Sequence, residues 1–180
     1  MKDYIVYLYQ EVPEVVYECL LFFLVVVFFL SITIKGLKKG FRIGCCVFFL
    51  CYLSLLFAST VFHRSYAENR GHNFNLFWSY SAIVEGQEEY MAENLLNVFA
   101  FIPIGFCLGM ILRTAKWWKV LGIGILISAS IELLQYFLKR GFAEFDDVFH
   151  NVLGCLIGYG LYKVVECLNN RIKRKNLLGV

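Results

Sequence analysis

The sequence lacks the short signatures by which many metal sites and soluble enzymes are recognised. It contains no CxxC pair, no HExxH motif, no glycine-rich phosphate loop and no Ser-His-Asp set that can be placed. The polar stretches contain no cysteine, because all seven cysteines lie in or at the ends of apolar runs. We interpret these cysteines as small apolar residues that pack within helices. We therefore predict neither a metal site nor a cofactor.

Apolar residues are unusually abundant in this sequence. They make up 59% of the chain, with a mean hydropathy of +0.64, whereas soluble domains contain about 45–50%. The excess lies in runs of about 20 residues, long enough to cross a bilayer as helices. These runs are 15–34, 41–62, 95–112, 120–138 and 148–168. The sequence thus predicts an all-α, polytopic membrane bundle of five transmembrane helices in one domain, 1–180, with residues 63–94 as its longest loop.

The first run resembles a signal peptide only in being N-terminal and apolar. Its flank is mixed in charge, and no small-residue cleavage site follows it. Basic residues follow instead, as they do after a stop-transfer helix. We therefore expect this run to remain as the first membrane helix.

The basic residues predict the orientation of the bundle. Twelve of the seventeen lie after the first run, after the third run, or at the C-terminal end. They are Lys35, Lys38, Lys39 and Arg42; Arg113, Lys116 and Lys119; and Lys163, Arg171, Lys173, Arg174 and Lys175. Positive segments stay in the cytoplasm, so we expect the N-terminus outside and the C-terminus inside. The net charge of +3 reflects this asymmetry and indicates no nucleic-acid partner.

That orientation places residues 63–94 outside the cell. The stretch from His72 to Tyr80, HNFNLFWSY, is rich in aromatic residues. Aromatic rings settle at the level of the lipid headgroups. The stretch is therefore either a surface-lying or re-entrant segment, or an ordinary interfacial loop.

Polar residues recur on one face of each of the last three predicted helices. They are Asn94 and Asn97 on the third; Ser128, Glu132 and Gln135 on the fourth; and Asp147 and Asn151 on the fifth. All fall in the predicted outer part of the bilayer, where lipid cannot solvate them, so they must face each other or a wet cavity. We expect the Asn and Gln amides, with Arg140 of the short outer loop, to donate hydrogen bonds to Glu132.

These polar residues have two interpretations. Asn94, Ser128 and Gln135 could simply hold helices together, at about 0.6 kcal/mol per hydrogen bond. Glu132 and Asp147 favour a functional role, because ionisable groups at depth are costly. Neighbouring Asp146 is expected to be a solvated surface charge, and His150 a hydrogen-bond partner.

Three blocks of this sequence resemble the VanZ-like family. They are ENLLNVFAFIPIGF (Glu93–Phe106), SASIELLQYF (Ser128–Phe137) and RGFAEFDDVFHNVLGCLIGY (Arg140–Tyr159). The family's characteristic positions fall on Asn97, Pro103, Gly105, Glu132, Gln135, Asp147, Asn151 and Gly154, and Arg140 resembles its loop arginine. Glu144 stands where the family often has aspartate. The resemblance implies an integral membrane protein linked to low-level resistance to glycopeptide antibiotics, chiefly of the lipid-tailed teicoplanin type.

Three hypotheses about function follow. In the leading one, an outward-facing polar pocket in the cell membrane binds an amphiphile, either a lipid-linked cell-wall precursor or the lipoglycopeptide antibiotic. The residues predicted to bind it are Asn94, Asn97, Ser128, Glu132, Gln135, Arg140, Asp147 and Asn151. In the second, the protein is a lipid-headgroup hydrolase or transferase, in which Glu132 and Asp147 perform acid–base catalysis and His150 assists. In the third, it is a small permease whose acids relay protons.

Overall fold

The apolar runs form long helices. The structure is a computed structural model, and it describes residues 39–62, 64, 66, 71–113 and 116–178. Its helices are α1 (Lys39–Phe57, continued by a π-helical turn, Ala58–Phe62), α2 (Trp78–Val84), α3 (Glu89–Leu112), α4 (Trp117–Leu138) and α5 (Phe145–Leu178). Two short strands, β1 (Gly71–Asn73) and β2 (Phe142–Glu144), complete the described elements.

Four of these helices contain segments long and apolar enough to cross a membrane. The segments are Gly44–Phe62, Glu89–Leu112, Trp117–Leu138 and Phe145–Arg174. They correspond to the predicted helices 41–62, 95–112, 120–138 and 148–168, so the prediction of an all-α, multi-pass membrane bundle is confirmed. The predicted helix 15–34 lies outside the described residues. The predicted orientation of the termini stays a prediction.

All four described membrane helices begin before their apolar runs, and α3 and α5 do so with acidic first turns. Helix α3 begins at Glu89 and α5 begins at Phe145. Their first turns contain Glu89, Asp146 and Asp147, whose negative charge is favourable at a helix N-terminus. Hydropathy misses such turns because it detects the apolar part of a helix and not its ends. The predicted outer loop, 63–94, therefore includes the first turn of α3, and the connection before α3 is shorter than predicted. The same range contains β1 and α2.

The bundle has an apolar interior and an apolar exterior. Leu56, Phe101, Ile104 and Ile131 form part of its buried core. Large side chains such as Leu126, which is 69% exposed, point outward from the helices. An apolar outer surface on long helices is what lipid requires.

Helices α3 and α5 pack backbone against backbone through glycines. A Cβ atom at Gly154 would lie 2.0 Å from the carbonyl oxygen of Val98, and one at Gly158 would lie 1.9 Å from that of Ile102. Gly105 of α3 approaches the backbone of α5 in the same way. The GxxxG pattern of α5 is therefore a packing seam between two helices of the same chain.

Two short contacts tie the segment before α3 to the start of α5. Strand β1 pairs in parallel with β2, so that His72 lies opposite Ala143 and Asn73 lies opposite Glu144. This arrangement joins two segments that are far apart in sequence. The aromatic stretch from His72 to Tyr80 thus includes part of β1 and the start of α2.

Asp146 makes the second contact, and its predicted exposure is wrong. It is 1% exposed, and its carboxylate accepts hydrogen bonds from the backbone N–H groups of Phe77 and Ser79. The Ser79 hydroxyl also donates to it at 2.6 Å. Asn94 Nδ2 in turn donates to Ser79 Oγ at 3.0 Å. Asp146 is buried because it satisfies the backbone donors at the start of α2.

Candidate functional site

A pocket of about 470 Å³ opens at the end of the bundle where α1 and α4 end and α3 and α5 begin. We call this end the pocket end. The pocket is lined by Arg64, His72, Asn73, Trp78, Tyr90, Glu93, Gly141, Phe142, Glu144 and Asp147. Its walls thus carry three carboxylates and one guanidinium group. Of the eight predicted binding residues, Asp147 is the one that lines it.

Asn97 and Glu132 lie directly behind the pocket wall. Asn97 Nδ2 donates to Asp147 Oδ1 at 2.8 Å, so Asn97 orients a carboxylate that lines the pocket. Glu132 is 6% exposed, and its Oε2 accepts a hydrogen bond of 3.1 Å from the backbone N–H of Glu144. Our expectation that side-chain amides and Arg140 supply Glu132 is wrong, because a backbone N–H of β2 does so.

Gln135 and Arg140 hold the end of α1. Gln135 Nε2 donates to the carbonyl oxygen of Thr60 at 2.9 Å. Arg140 Nη1 donates to the carbonyl oxygens of Phe62 and Arg64, at 2.9 and 2.6 Å. The last carbonyl groups of a helix have no hydrogen-bond donor within the helix. Gln135 and Arg140 donate to two such carbonyl groups, those of Thr60 and Phe62. Gln135 and Arg140 therefore position the segment that carries Arg64 and do not themselves line the pocket.

Arg64 is one of the nine pocket-lining residues that are absent from the predicted set, and it carries the guanidinium group of the wall. Its Nη1 lies 2.7 Å from the place where a Cβ atom of residue 141 would be, so the guanidinium group lies against the backbone of Gly141. Within the described part of the chain, it makes no direct ion pair with the pocket carboxylates. No pattern around Arg64 identifies it, because what brings it to the pocket is the long-range contact of its backbone with Arg140.

The remaining predicted binding residues form closed hydrogen bonds deeper in the bundle. Asn151 Nδ2 donates to Ser128 Oγ at 2.9 Å, and these residues are 4% and 0% exposed. Their pair joins α4 to α5 one turn below Asp147. Asn94 supports Ser79, as described above. Ser128, Asn151 and Asn94 thus lie near the pocket but behind its walls.

His150 also lies behind the pocket, on the side of α2. It is 2% exposed, and its Nδ1 lies 2.6 Å from the carbonyl oxygen of Asp146. A carbonyl oxygen only accepts hydrogen bonds, so Nδ1 carries the hydrogen. Nε2 meets the hydroxyl group of Tyr80 at 2.9 Å. Both ring nitrogens are therefore engaged in structural contacts, as the sequence analysis expected.

Glu144 lies outside the membrane-spanning segments and has an unusual acidity. Burial, together with the nearby charges of Asp147 and Glu93, raises its pKa to about 7. The indole Nε1 of Trp78 is close enough to lower this pKa somewhat, but the two groups do not meet the geometry of a hydrogen bond. Near neutral pH, this carboxyl group can both donate and accept a proton.

The described residues contain no group of three or more His, Cys, Asp or Glu side chains placed to hold a metal ion.

Comparison with known proteins identifies the family. The family model VanZ/LLP1 matches residues 15–166, which is most of the chain and includes all three blocks of the VanZ-like pattern. Comparison with curated proteins and with solved structures gave no match. Asp147, Asn97 and Glu132, which line or back the pocket, fall on positions of that pattern. The chain belongs to the VanZ/LLP1 family.

Proposed function

We propose that this protein binds the polar part of an amphiphile in the pocket, at the outer surface of the cell membrane, and so contributes to tolerance of lipoglycopeptide antibiotics. The observation that carries the proposal is the position of the pocket. It contains charges of both signs, and it opens at the end of helices whose outer surfaces are apolar. A headgroup would occupy the pocket while its lipid tail lies against the helices.

The distribution of basic residues supports the outward orientation. Arg113, Lys116 and Lys119 lie at the end of the bundle opposite the pocket, where α3 ends and α4 begins. The C-terminal part of α5, which is also basic, extends toward that end. Positive segments stay in the cytoplasm, so the pocket would face the outer leaflet.

Membership of the family suggests two amphiphiles. One is a lipid-linked cell-wall precursor, and the other is the lipid-tailed antibiotic itself. In either case Asp147 and Glu144 would contact the polar group, and Asn97 would orient Asp147 through its hydrogen bond. Gln135 and Arg140 would act indirectly, through the segment that carries Arg64.

The test is binding of the purified protein, in nanodiscs, to a lipid-linked precursor and to teicoplanin. Asp147→Asn keeps the shape of the side chain but removes its charge from the pocket wall, so we expect at least a tenfold loss of affinity. The matched control is Glu85→Gln, which removes one charge from an exposed position after α2. Equal binding by the wild type and Asp147→Asn would contradict the proposal.

A second candidate function is chemistry on a lipid headgroup at the same pocket. The observation that favours it is Glu144, because a pKa of about 7 suits a group that transfers protons near neutral pH. Glu132 and Asp147 lie on either side of it, one bonded to its backbone and the other raising its pKa. Incubation of the protein with lipid-linked precursor, followed by mass spectrometry, would reveal a released headgroup. That product should disappear in Glu144→Gln if the activity belongs to this site.

A further inference from the structure

We infer that the pocket selects headgroups in which a primary ammonium group stands beside a phosphate, that is, zwitterionic amphiphiles of the phosphoethanolamine type. This inference rests on the proposed function and specifies its ligand class.

The carboxylates provide the site for the ammonium group. Glu93, Glu144 and Asp147 come from three different elements, and their side chains converge on one cavity. Each of these carboxylates can accept a hydrogen bond from a primary ammonium group, which has three donors. The rings of Trp78 and Tyr90 line the same cavity and pack against each other with their centroids 4.8 Å apart. Aromatic rings also favour a cation.

Arg64 provides the site for the phosphate group. A guanidinium group is a preferred partner of phosphate because of its planar array of donors. Arg140 fixes the backbone of Arg64, and Gly141 leaves space for its guanidinium group. Arg64 makes no direct ion pair with the pocket carboxylates in the described part of the chain, so its donors are not occupied by them, although its charge acts on Glu93 and Asp147 at longer range. A zwitterion fits such an arrangement better than a ligand with charge of one sign.

Two buried polar atoms at or near the pocket have no hydrogen-bond partner among the described residues. Gln135 is 3% exposed, and its Oε1 has no hydrogen-bond partner among the described residues. Its carboxamide carbon lies 3.6 Å from the Cβ position of Gly141, which lines the pocket. Trp78 Nε1, in the pocket wall, is likewise buried and without a partner there. An unsatisfied buried polar group costs about 1–3 kcal/mol, and a polar ligand, or water ordered by it, would remove that cost.

The net charge of the pocket walls decides which charged group of the ligand contributes more to binding. One guanidinium group faces three carboxylates, and Glu132 lies just behind them. A purely anionic headgroup would meet more repulsion than attraction. The ammonium group is therefore the required part, and the phosphate group adds selectivity through Arg64.

Native mass spectrometry of the detergent-purified protein tests the inference with three lipids that share acyl chains. Phosphatidylethanolamine has a primary ammonium group. Phosphatidylcholine keeps the positive charge but has no N–H donor, and phosphatidylglycerol has only the phosphate. We expect phosphatidylethanolamine to bind at least tenfold more tightly than either. Glu144→Gln and Arg64→Gln should each reduce this preference, whereas Glu85→Gln should leave it unchanged.

Several outcomes would overturn the inference. Equal binding of phosphatidylethanolamine and phosphatidylcholine would show that N–H donors are not recognised. Stronger binding of phosphatidylglycerol would show that Arg64 dominates. Equal affinity for free phosphoethanolamine and for phosphatidylethanolamine would show that the ligand is a soluble zwitterion and not a lipid.

The same measurements separate this inference from the proposed function. If all three lipids bind alike and Asp147→Asn weakens all of them, the pocket binds amphiphiles but does not select zwitterions. If no pocket variant changes the binding of any lipid or of teicoplanin, both proposals fail. Thermal melting of each variant confirms that it is folded before its binding is compared.

Discussion

At the scale of single residues, most polar groups at the pocket end are explained by their partners. Asp146 accepts a hydrogen bond from the backbone N–H of Ser79 at the start of α2, and Gln135 donates to the carbonyl oxygen of Thr60 at the end of α1. Asn151 donates to Ser128. The sequence indicates which positions are polar, because apolar surroundings make them conspicuous. It does not indicate their partners, because Gln135 and Thr60 are 75 positions apart and Asp146 and Ser79 are 67 apart. Glu132 illustrates the limit, since its partner is a backbone group of an unpredicted strand.

Glu144 gives a prediction at this scale, about pH. In the folded chain, burial and neighbouring carboxylates raise its pKa from 4.5 to about 7. The folded state therefore keeps this proton at pH values where the unfolded chain has released it. This difference lowers the free energy of unfolding as the pH rises from about 4.5 to about 7, and the loss remains at higher pH.

Glu144→Gln should remove this contribution. We expect a shallower fall in stability over that pH range and, at about pH 8, a gain of about 1 kcal/mol in the free energy of unfolding. This gain is smaller than the free energy that corresponds to the full pKa shift, because solvent screens the partly exposed carboxyl group. Thermal melting across the pH range measures it, with Glu85→Gln as the control. An unchanged slope in Glu144→Gln would contradict the explanation.

At the scale of secondary-structure elements, the apolar runs predict the four described membrane helices well. Their ends are predicted less well, because first turns rich in acids, such as that of α5, carry no hydropathy signal. The strands β1 and β2 have three residues each and pair with each other in a two-stranded sheet. No periodicity can be recognised in so short a stretch. The GxxxG spacing of α5, by contrast, can be read in the sequence and coincides with the packing seam, because close contact of helix backbones depends on residue size alone.

The seam offers a matched pair of substitutions. Gly158 faces the backbone of α3, whereas a Cβ atom at Gly160, two positions further along α5, would meet nothing within 4 Å. Gly158→Leu should therefore force the two helices apart and lower the stability by about 3 kcal/mol or more. Gly160→Leu should change it by less than about 0.5 kcal/mol. Melting temperatures and yields of the two variants test this, and similar losses in both would argue against backbone contact at the seam.

At the scale of the whole molecule, the two ends of the bundle differ in chemistry. The pocket end gathers acids and short connecting elements, and the opposite end gathers basic residues. Hydropathy and charge were sufficient to predict this division, because both are summed over many residues. They were not sufficient to predict the lining of the pocket, because Arg64 and Glu144 reach it through contacts between distant segments.

Labelling of introduced cysteines tests the predicted orientation. In a background without the seven native cysteines, Glu85→Cys should react with an impermeant thiol reagent added to intact cells. Lys116→Cys, which is exposed at the opposite end before α4, should react only after the cells are opened. Both positions are exposed, so accessibility in the folded chain is matched. Labelling of Lys116→Cys alone in intact cells would reverse the orientation and place the pocket in the cytoplasm.

The glycine contacts between α3 and α5 also have a mechanical consequence. Helices that touch along their backbones cannot slide or separate without losing several close contacts at once, so Glu93, Asn97 and Asp147 keep a fixed spacing. Glu132 and Gly141 belong to α4 and the connection that follows it, and α4 meets α5 through side chains, with Gly124 against the Cys155 thiol. The wall of the pocket that α3 and α5 form is therefore held by direct backbone contact. The wall that α4 forms is joined to α5 through side chains, among them the hydrogen bond from Asn151 to Ser128.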